Sequence, residues 1–226
     1  MNAIEILHYY IDPNEALYQV VYQHSRAVAD LALRLMDKHP ALPMNRRLVE
    51  QAALLHDIGV LKVDAPSIHC FGTEAYIRHG VEGAAMLRAL IPILETVSFA
   101  SEKTAFDYAT EVESLDLTAA DLEACARVCE RHTGTGLTVE RIVQAALPLP
   151  LQDFSPQSEE EQLICFADKF FSKTHLDRER DFAQARAKLE KFGPESLQRF
   201  DNWGQRFYAM INRVKCSSFT HSPHPS

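Results

Sequence analysis

Six side chains have the types and spacing to do chemistry together: His24, His56 with its neighbour Asp57, His79, His132 and Asp168. The sharpest stretch is Ala52-Ala53-Leu54-Leu55-His56-Asp57-Ile58-Gly59, an apolar helical run that ends in an imidazole, a carboxylate and a glycine. Neither polar group belongs on a buried helix face without a partner, because unpaired burial costs several kcal/mol. Adjacent helical residues point about 100° apart, yet at a helix C-terminus both can lean over the end and touch one ion. The negative end of the helix dipole favours a cation there, and Gly59 can then turn the chain away with positive φ. Imidazole nitrogens mixed with carboxylate oxygens suit first-row divalent metals better than calcium. No thiolate is needed, and the five cysteines (70, 125, 129, 165 and 216) form no C-x-x-C pair.

The elements that must position these residues read as helices. A short leading helix is expected over residues 2–10. Asp12-Pro13-Asn14-Glu15 reads as a helix start, with Asp as N-cap and Pro at the first helical position, for a helix running to about Lys38. Val20, Ala27, Leu31 and Leu35 give it one apolar face, and His24 lies on that face. A helix over 45–58, with Leu48, Ala52 and Leu55 inward, delivers His56 and Asp57. An irregular segment, 60–72, follows and holds Lys62, Asp64 and His69; its place beside the His-Asp pair marks it as functional. Another helix is expected from His79 to about Leu90, with Ala84, Leu87 and Leu90 inward and Pro92 near its end. Residues 98–117 are mixed and polar. Thr118 caps a helix over 121–132, which ends at His132 and exits through Gly134 and Gly136. One or two helical turns are expected over 139–146, an extended stretch over 147–156, and a Ser158-capped helix over 161–173 that carries Asp168. Two polar amphipathic helices, near 178–192 and 195–214, close an all-α body of 1–216, and a disordered tail of 217–226 ends it.

Taken singly, each residue has an ordinary explanation. His24 or His79 could be a satisfied core histidine. Asp168 could pair with Lys169 or Lys173, and His132 could complement its own helix dipole. The case rests on their joint appearance on helices expected to pack into one bundle, a usual setting for metal sites.

In this pattern the chain resembles the HD-domain superfamily of metal-dependent phosphohydrolases, whose motif is H…HD…D. His24, His56-Asp57-Ile58-Gly59 and Asp168 carry the core motif. His79, in His79-Gly80-Val81-Glu82-Gly83, and His132, in Arg131-His132-Thr133-Gly134, match the further histidines of binuclear members. The wording is most similar to HDIG-type proteins and diadenosine tetraphosphate hydrolases, and the resemblance covers about residues 14–175. Two departures concern the HD-GYP subgroup: Val60 stands where that subgroup has Lys, and no Gly-Tyr-Pro occurs, which argues against cyclic di-GMP as substrate. The resemblance implies an all-α HD-like bundle. It implies one metal held by His24, His56, Asp57 and Asp168, and a second by Asp57, His79 and His132, with Asp57 bridging. One or two divalent ions are expected, among Fe, Mn, Zn, Co, Ni and Mg.

The implied reaction is hydrolysis of a phosphoester or phosphoanhydride in a nucleotide or other small phosphorylated molecule. Two cations about 3.5–4 Å apart lower the pKa of a shared water towards ~7 and screen the phosphate charge. Lys62 is the first candidate to hold phosphate oxygens, then Arg131 and Lys169, with Lys173 weaker; Asp64 or His69 could protonate a leaving oxygen. Other readings are a di-iron oxygenase on the same ligands and a non-catalytic nucleotide-binding module. The composition is compatible with all three. The chain has 226 residues, 46% hydrophobic, and a net charge of −8, which argues against a general nucleic-acid binder. No run of about 18 apolar residues marks a membrane span. Met1-Asn2-Ala3-Ile4-Glu5 lacks the basic and apolar regions of a signal peptide, and scattered cysteines fit reduced thiols, so a cytoplasmic location is expected. Oligomeric state and substrate identity are not legible.

Overall fold

The computed structural model describes residues 1–102 and 116–208. Nine α-helices lie among the described residues, with a two-stranded ribbon as the only sheet. α1 (Ala3–Tyr10) is opened by an Asn2–Glu5 capping box. α2 (Ala16–Lys38) starts later than its sequence suggests. Asp12 spends its side chain on the backbone N–H of Asn14 in a local turn, at 2.9 Å, and Glu15 caps without a side-chain bond. The buried face of α2 is also rotated by about one residue. Leu17, Val21, His24, Val28, Leu31 and Leu35 are buried, while Val20 and Ala27 lie at the margin.

α3 (Arg46–Leu55) is capped by Asn45 and lies against α1, α2, α5 and α7, so its C-terminus is held on several sides. It stops at Leu55. His56 closes it, and a 3-10 turn over Ile58–Lys62 continues the chain. Strands β1 (Asp64–Ala65) and β2 (Cys70–Phe71) then pair antiparallel around a Pro66–Ile68 turn. The segment expected to be irregular is therefore folded into two tight turns and a ribbon.

α4 (His79–Glu102) runs through Pro92 instead of stopping near it. A proline inside a helix removes one hydrogen bond and crowds the preceding turn, but α4 packs along α5 (Ala119–Arg131), and that lateral contact carries the helix onward. α5 opens on the expected Thr118–Asp121 capping box and buries Leu122, Ala126 and Cys129. Gly134 and Gly136, at φ +63° and +91°, turn the chain out of it. α6 (Val139–Gln144) is short. α7 (Glu159–Asp168), capped by Ser158, ends five residues before the expected Lys173.

The closing elements are α8 (Phe182–Ala187), α9 (Pro194–Trp203) and a wider π-helical turn over Gly204–Tyr208. They are more apolar than a polar amphipathic reading implies. Phe182, Phe200 and Tyr208 surround Phe166 and Phe170, with ring centroids 4.9 Å apart for Phe166–Phe200 and 5.4 Å for Phe170–Tyr208. Aromatic pairs of this kind contribute about 0.5–1.5 kcal/mol each beyond their burial. This cluster clamps the back of α7 and thereby aims Asp168 forward. One hydrophobic core runs from Ala3 to Phe207 through these helices except α6, whose Ile142 joins a smaller cluster with Leu137 and Phe154. The expected tail 217–226, Cys216, residues 209–214 of the closing helix and residues 103–115 of the polar stretch lie outside the described residues.

Candidate metal centre

Three helix C-termini converge. His56 is the C-cap of α3, His132 the C-cap of α5, and Asp168 the last residue of α7. His24 projects from the middle of α2, and His79 begins α4. The negative ends of three helix dipoles thus meet around two carboxylates, an electrostatic arrangement that favours a cation.

Asp57 lies at the middle, fully buried. Its Oδ2 is 3.1 Å from His24 Nε2 and 3.1 Å from His56 Nε2. Its Oδ1 is 3.4 Å from His132 Nε2 and 3.6 Å from His79 Nε2. Asp168 Oδ1 completes one side, 3.0 Å from His24 Nε2 and 3.6 Å from His56 Nε2. The six side chains form two ligand sets that share Asp57: His24, His56, Asp57 and Asp168, and Asp57, His79 and His132. Within each set the donor atoms lie within 4.8 Å of one another.

The fit to a cation can be tested on the imidazoles. His56, His79 and His132 each donate Nδ1–H to the carbonyl three residues earlier, at 2.7, 2.6 and 2.7 Å (Ala53, Tyr76 and Cys129). A carbonyl cannot donate, so Nδ1 carries a proton in all three and Nε2 is the nitrogen aimed inward, as in histidines that bind metals. His79 and His132 then face each other Nε2 to Nε2 at 3.0 Å. Burial, and for His79 the adjacent His132, lowers both pKa values, His79 to about 3. Two neutral imidazoles with opposed lone pairs need a cation between them. His56 Nε2 and Asp57 Oδ1 are buried with no hydrogen-bond partner, which buried polar groups avoid unless another ligand satisfies them. The donor set fits one or two divalent ions.

Gly59 has a different task from the one its place suggests. It lies in the 3-10 turn and does not adopt positive φ. A Cβ there would fall 2.0 Å from the His79 carbonyl and 2.2 Å from the Gly83 nitrogen. The residue is glycine because the Asp57 turn and the start of α4 touch backbone to backbone, and that contact brings His79 to Asp57.

Above the cluster opens a cavity of about 590 Å³. Five cationic side chains line it (Lys169, Lys173, Arg180, Lys188 and Lys191) against two aspartates, Asp64 and Asp168. In a chain of net charge −8, this is a local excess of positive charge. Lys173 Nζ lies 2.6 Å from Asp57 Oδ2, and donates to Tyr76 Oη at 3.2 Å. Lys169 Nζ donates to Asp168 Oδ2 at 2.6 Å and to the His132 carbonyl at 2.9 Å. Burial alone would lower both ammonium pKa values; the facing carboxylates reverse this and hold both lysines charged. Burial likewise works against ionised Asp57, but His56 and Lys173 outweigh it and keep Asp57 well below the usual carboxylate range.

The remaining sequence candidates stand elsewhere. Lys62 has an exposed side chain and does not line the cavity. Its carbonyl is tied to the backbone of Thr73 and Glu74. Arg131 is turned to Glu161, at 2.9 Å, and also stays outside the lining. His69, at φ 61°, is exposed, while Asp64 lies on the cavity rim. The weakest cationic candidate in the sequence, Lys173, is the one against Asp57. Tyr76, Lys188 and Lys191 lie on turns without periodicity and carried no signal.

A model of the HD-domain family matches residues 21–172, two thirds of the chain, including five of the six cluster positions at 24–132 and Asp168 as the sixth. The chain belongs to the HD-domain family. HD domains bind divalent metals and are in general hydrolases, which agrees with the donor set. The tRNA (cytidine(56)-2'-O)-methyltransferase of Picrophilus torridus is 27% identical over 198 residues, 84% of this chain and 44% of that protein. The chain therefore spans less than half the length of that relative. An uncharacterized protein of Methanocaldococcus jannaschii is 30% identical over 156 residues, 68% of each chain. Among solved structures, the HD domain of the L. monocytogenes phosphodiesterase PgpH aligns over 89% of this chain and 99% of that one, at 14% identity and a TM-score of 0.39. Among the described residues, no helix of this HD domain is long and apolar enough to cross a membrane.

Proposed function

We propose that the chain is a metal-dependent phosphohydrolase that cleaves a phosphoester or phosphoanhydride of a small anionic molecule, a nucleotide foremost. The observation that carries this reading is the buried set of inward imidazole Nε2 atoms and two carboxylates beneath a lysine-lined cavity. In this reading His24, His56, Asp57 and Asp168 hold one divalent ion, and Asp57, His79 and His132 hold a second. Bound there, the ions supply an acidified water and counter-charge for the phosphate.

The chain's own groups do the rest. Asp57 joins the two sets and fixes their spacing. Lys173 and Lys169 bind non-reacting phosphate oxygens, each already poised over a cluster carboxylate. Positioned cations of this kind stabilise the charge that builds on a transferring phosphoryl group. The buried walls around Asp57 strengthen those interactions by excluding water. Asp64, at the rim, is placed to meet a leaving oxygen, whereas Lys62 and Arg131 take no part.

The test begins with elemental analysis of the purified full chain, followed by phosphate release from a nucleotide and sugar-phosphate panel without oxygen. Turnover that chelation abolishes and the identified metal restores is the expected result. Turnover only with oxygen and iron would replace hydrolysis by oxygenase chemistry. Nucleotide binding that survives metal removal, without turnover, would replace it by a binding module.

A further inference from the structure

A second cavity, about 270 Å³, adjoins the first and shares Tyr76, His79, Thr133, Lys191 and Phe192 with it. Its character is opposite. The main cavity is rich in lysine, whereas this alcove is closed by Ile77, Leu137, Ala145 and Leu147. Of these, Leu137 belongs to a small hydrophobic cluster with Ile142 and Phe154. Its walls are tied together. Arg78 donates to the Pro148 carbonyl at 2.8 Å, joining the Tyr76 turn to the 147–149 segment. Arg141 donates to the Lys191 carbonyl at 3.0 Å, joining α6 to the Phe192 turn. The alcove is thus built by four separate segments held in register by side-chain to backbone bonds, the mark of a preformed ligand site.

A liquid water takes about 30 Å³, so the alcove offers the room of roughly nine waters, enough for one flat ring system. Tyr76 and Phe192 line it as well, each with a lysine ammonium over its ring, Lys173 at 5.8 Å and Lys191 at 5.0 Å from the centroids, so a heteroaromatic ring would pack on these walls by offset or edge contact. Resting on the phosphohydrolase reading above, we infer that the substrate's non-phosphate part bears a planar aromatic ring, of nucleobase size, seated in this alcove while its phosphate lies under Lys169 and Lys173. Because His79 and Thr133 belong to both cavities, ring and phosphate lie on adjacent parts of one molecule, as in a nucleoside monophosphate or its diester.

The experiment measures binding of adenosine, guanosine, cytidine and uridine to the full chain by calorimetry, alongside kcat/KM for nucleoside 5'-monophosphates and for ribose 5-phosphate. Ala145 is exposed at the alcove rim, so Ala145→Trp fills the space from outside, and Ala145→Leu serves if the tryptophan lowers the melting temperature. At least one nucleoside should bind, about ten-fold more weakly to the filled variant. The preference for that nucleotide over ribose 5-phosphate should fall by a similar factor. Absence of binding by every nucleoside, or binding unaltered by the filled variants, overturns the inference. The two readings fail separately: variant-sensitive nucleoside binding without any phosphoester turnover refutes hydrolysis and leaves the alcove, while turnover of ribose 5-phosphate without nucleoside binding does the reverse.

Discussion

The donor cluster and the cavity above it are built by different means. The cluster hangs on helix ends and helix faces, and three of its imidazoles are locked by carbonyls of their own last turn. The cavity rim is drawn from short turns: Asp64–Ile68, Tyr76, 169–174 and 188–192. Chemistry is placed on the stiffest parts of the chain, where a side chain's direction follows from the helix that bears it. Recognition is placed on segments whose shape depends on what they pack against. The comparison predicts that cluster substitutions act on metal and turnover together, whereas rim substitutions act on substrate alone.

The largest effect is expected from Asp57→Ala. Asp57 belongs to both donor sets, so bound metal should fall to background by elemental analysis and turnover with it. The same change strips Lys173 of its carboxylate, and removing one partner of a buried pair costs about 3–5 kcal/mol, which denaturant unfolding of the metal-free protein would register. Retention of full metal and activity would end the cluster assignment. Next is Gly59→Ala. The added methyl meets backbone atoms of His79 and Gly83 that cannot swing aside, so the start of α4 must retreat. Metal content should drop by at least about half, with a stability loss on the order of 2–3 kcal/mol. A variant as stable and as metal-rich as the parent would show that the close approach does not hold the two sets together.

The same division explains what the sequence disclosed. His24, His56, Asp57, His79, His132 and Asp168 were findable because polar residues in apolar helical runs, or at their ends, are anomalous and periodicity tells where such runs end. The all-α class was legible for the same reason. Helix limits were less so: α2 begins after an Asp12 turn that mimics a cap, and α4 ignores Pro92 because α5 supports it. The lysines that line the cavity over the cluster could not be ranked. Lys62 follows the His-Asp pair closely in sequence, but the 3-10 turn carries it to the surface. Lys173 looked like the end of a helix, yet α7 stops at Asp168 and the freed chain curls back over Asp57. Phe182, Phe200 and Tyr208 escaped notice because their partner, α7, is distant in sequence.

A rim residue gives the third effect. Lys173→Gln should lower kcat/KM for a phosphoester by about 10²-fold while metal content stays at the parent level, since the ammonium is no ligand. Loss of metal in this variant would move Lys173 from recognition to assembly of the cluster. The fourth is a pH dependence. Burial lowers the His56 pKa, but Asp57 and Asp168 overcome it and raise the imidazole to about 9 in the metal-free protein. His56 therefore carries a proton at neutral pH that a metal must displace. Affinity should rise with pH and level off near 9, by up to ~10-fold per unit. Calorimetry in buffers of different ionisation enthalpy should detect about one proton released per chain at pH 7, from the set that contains His56. Affinity that is flat from pH 6 to 9 would mean that His56 is already deprotonated.

The smallest effect sharpens the comparison most. Lys62 and Lys173 are both lysines that follow a motif residue in sequence, so any rule based on proximity along the chain treats them alike. The structure separates them: one ammonium lies against Asp57, the other in solvent. Lys62→Ala should leave kcat/KM within about two-fold of the parent and stability within ~0.5 kcal/mol, as for an exposed side chain without partners of consequence. Measured beside Lys173→Gln on the same phosphoester, it tests whether charge matters by its position over the cluster or only by its presence nearby. Equal losses in the two variants would point to a diffuse electrostatic attraction, whose signature is a steep fall with added salt. Unequal losses that persist at high salt would tie recognition to the single ammonium that the end of α7 turns inward.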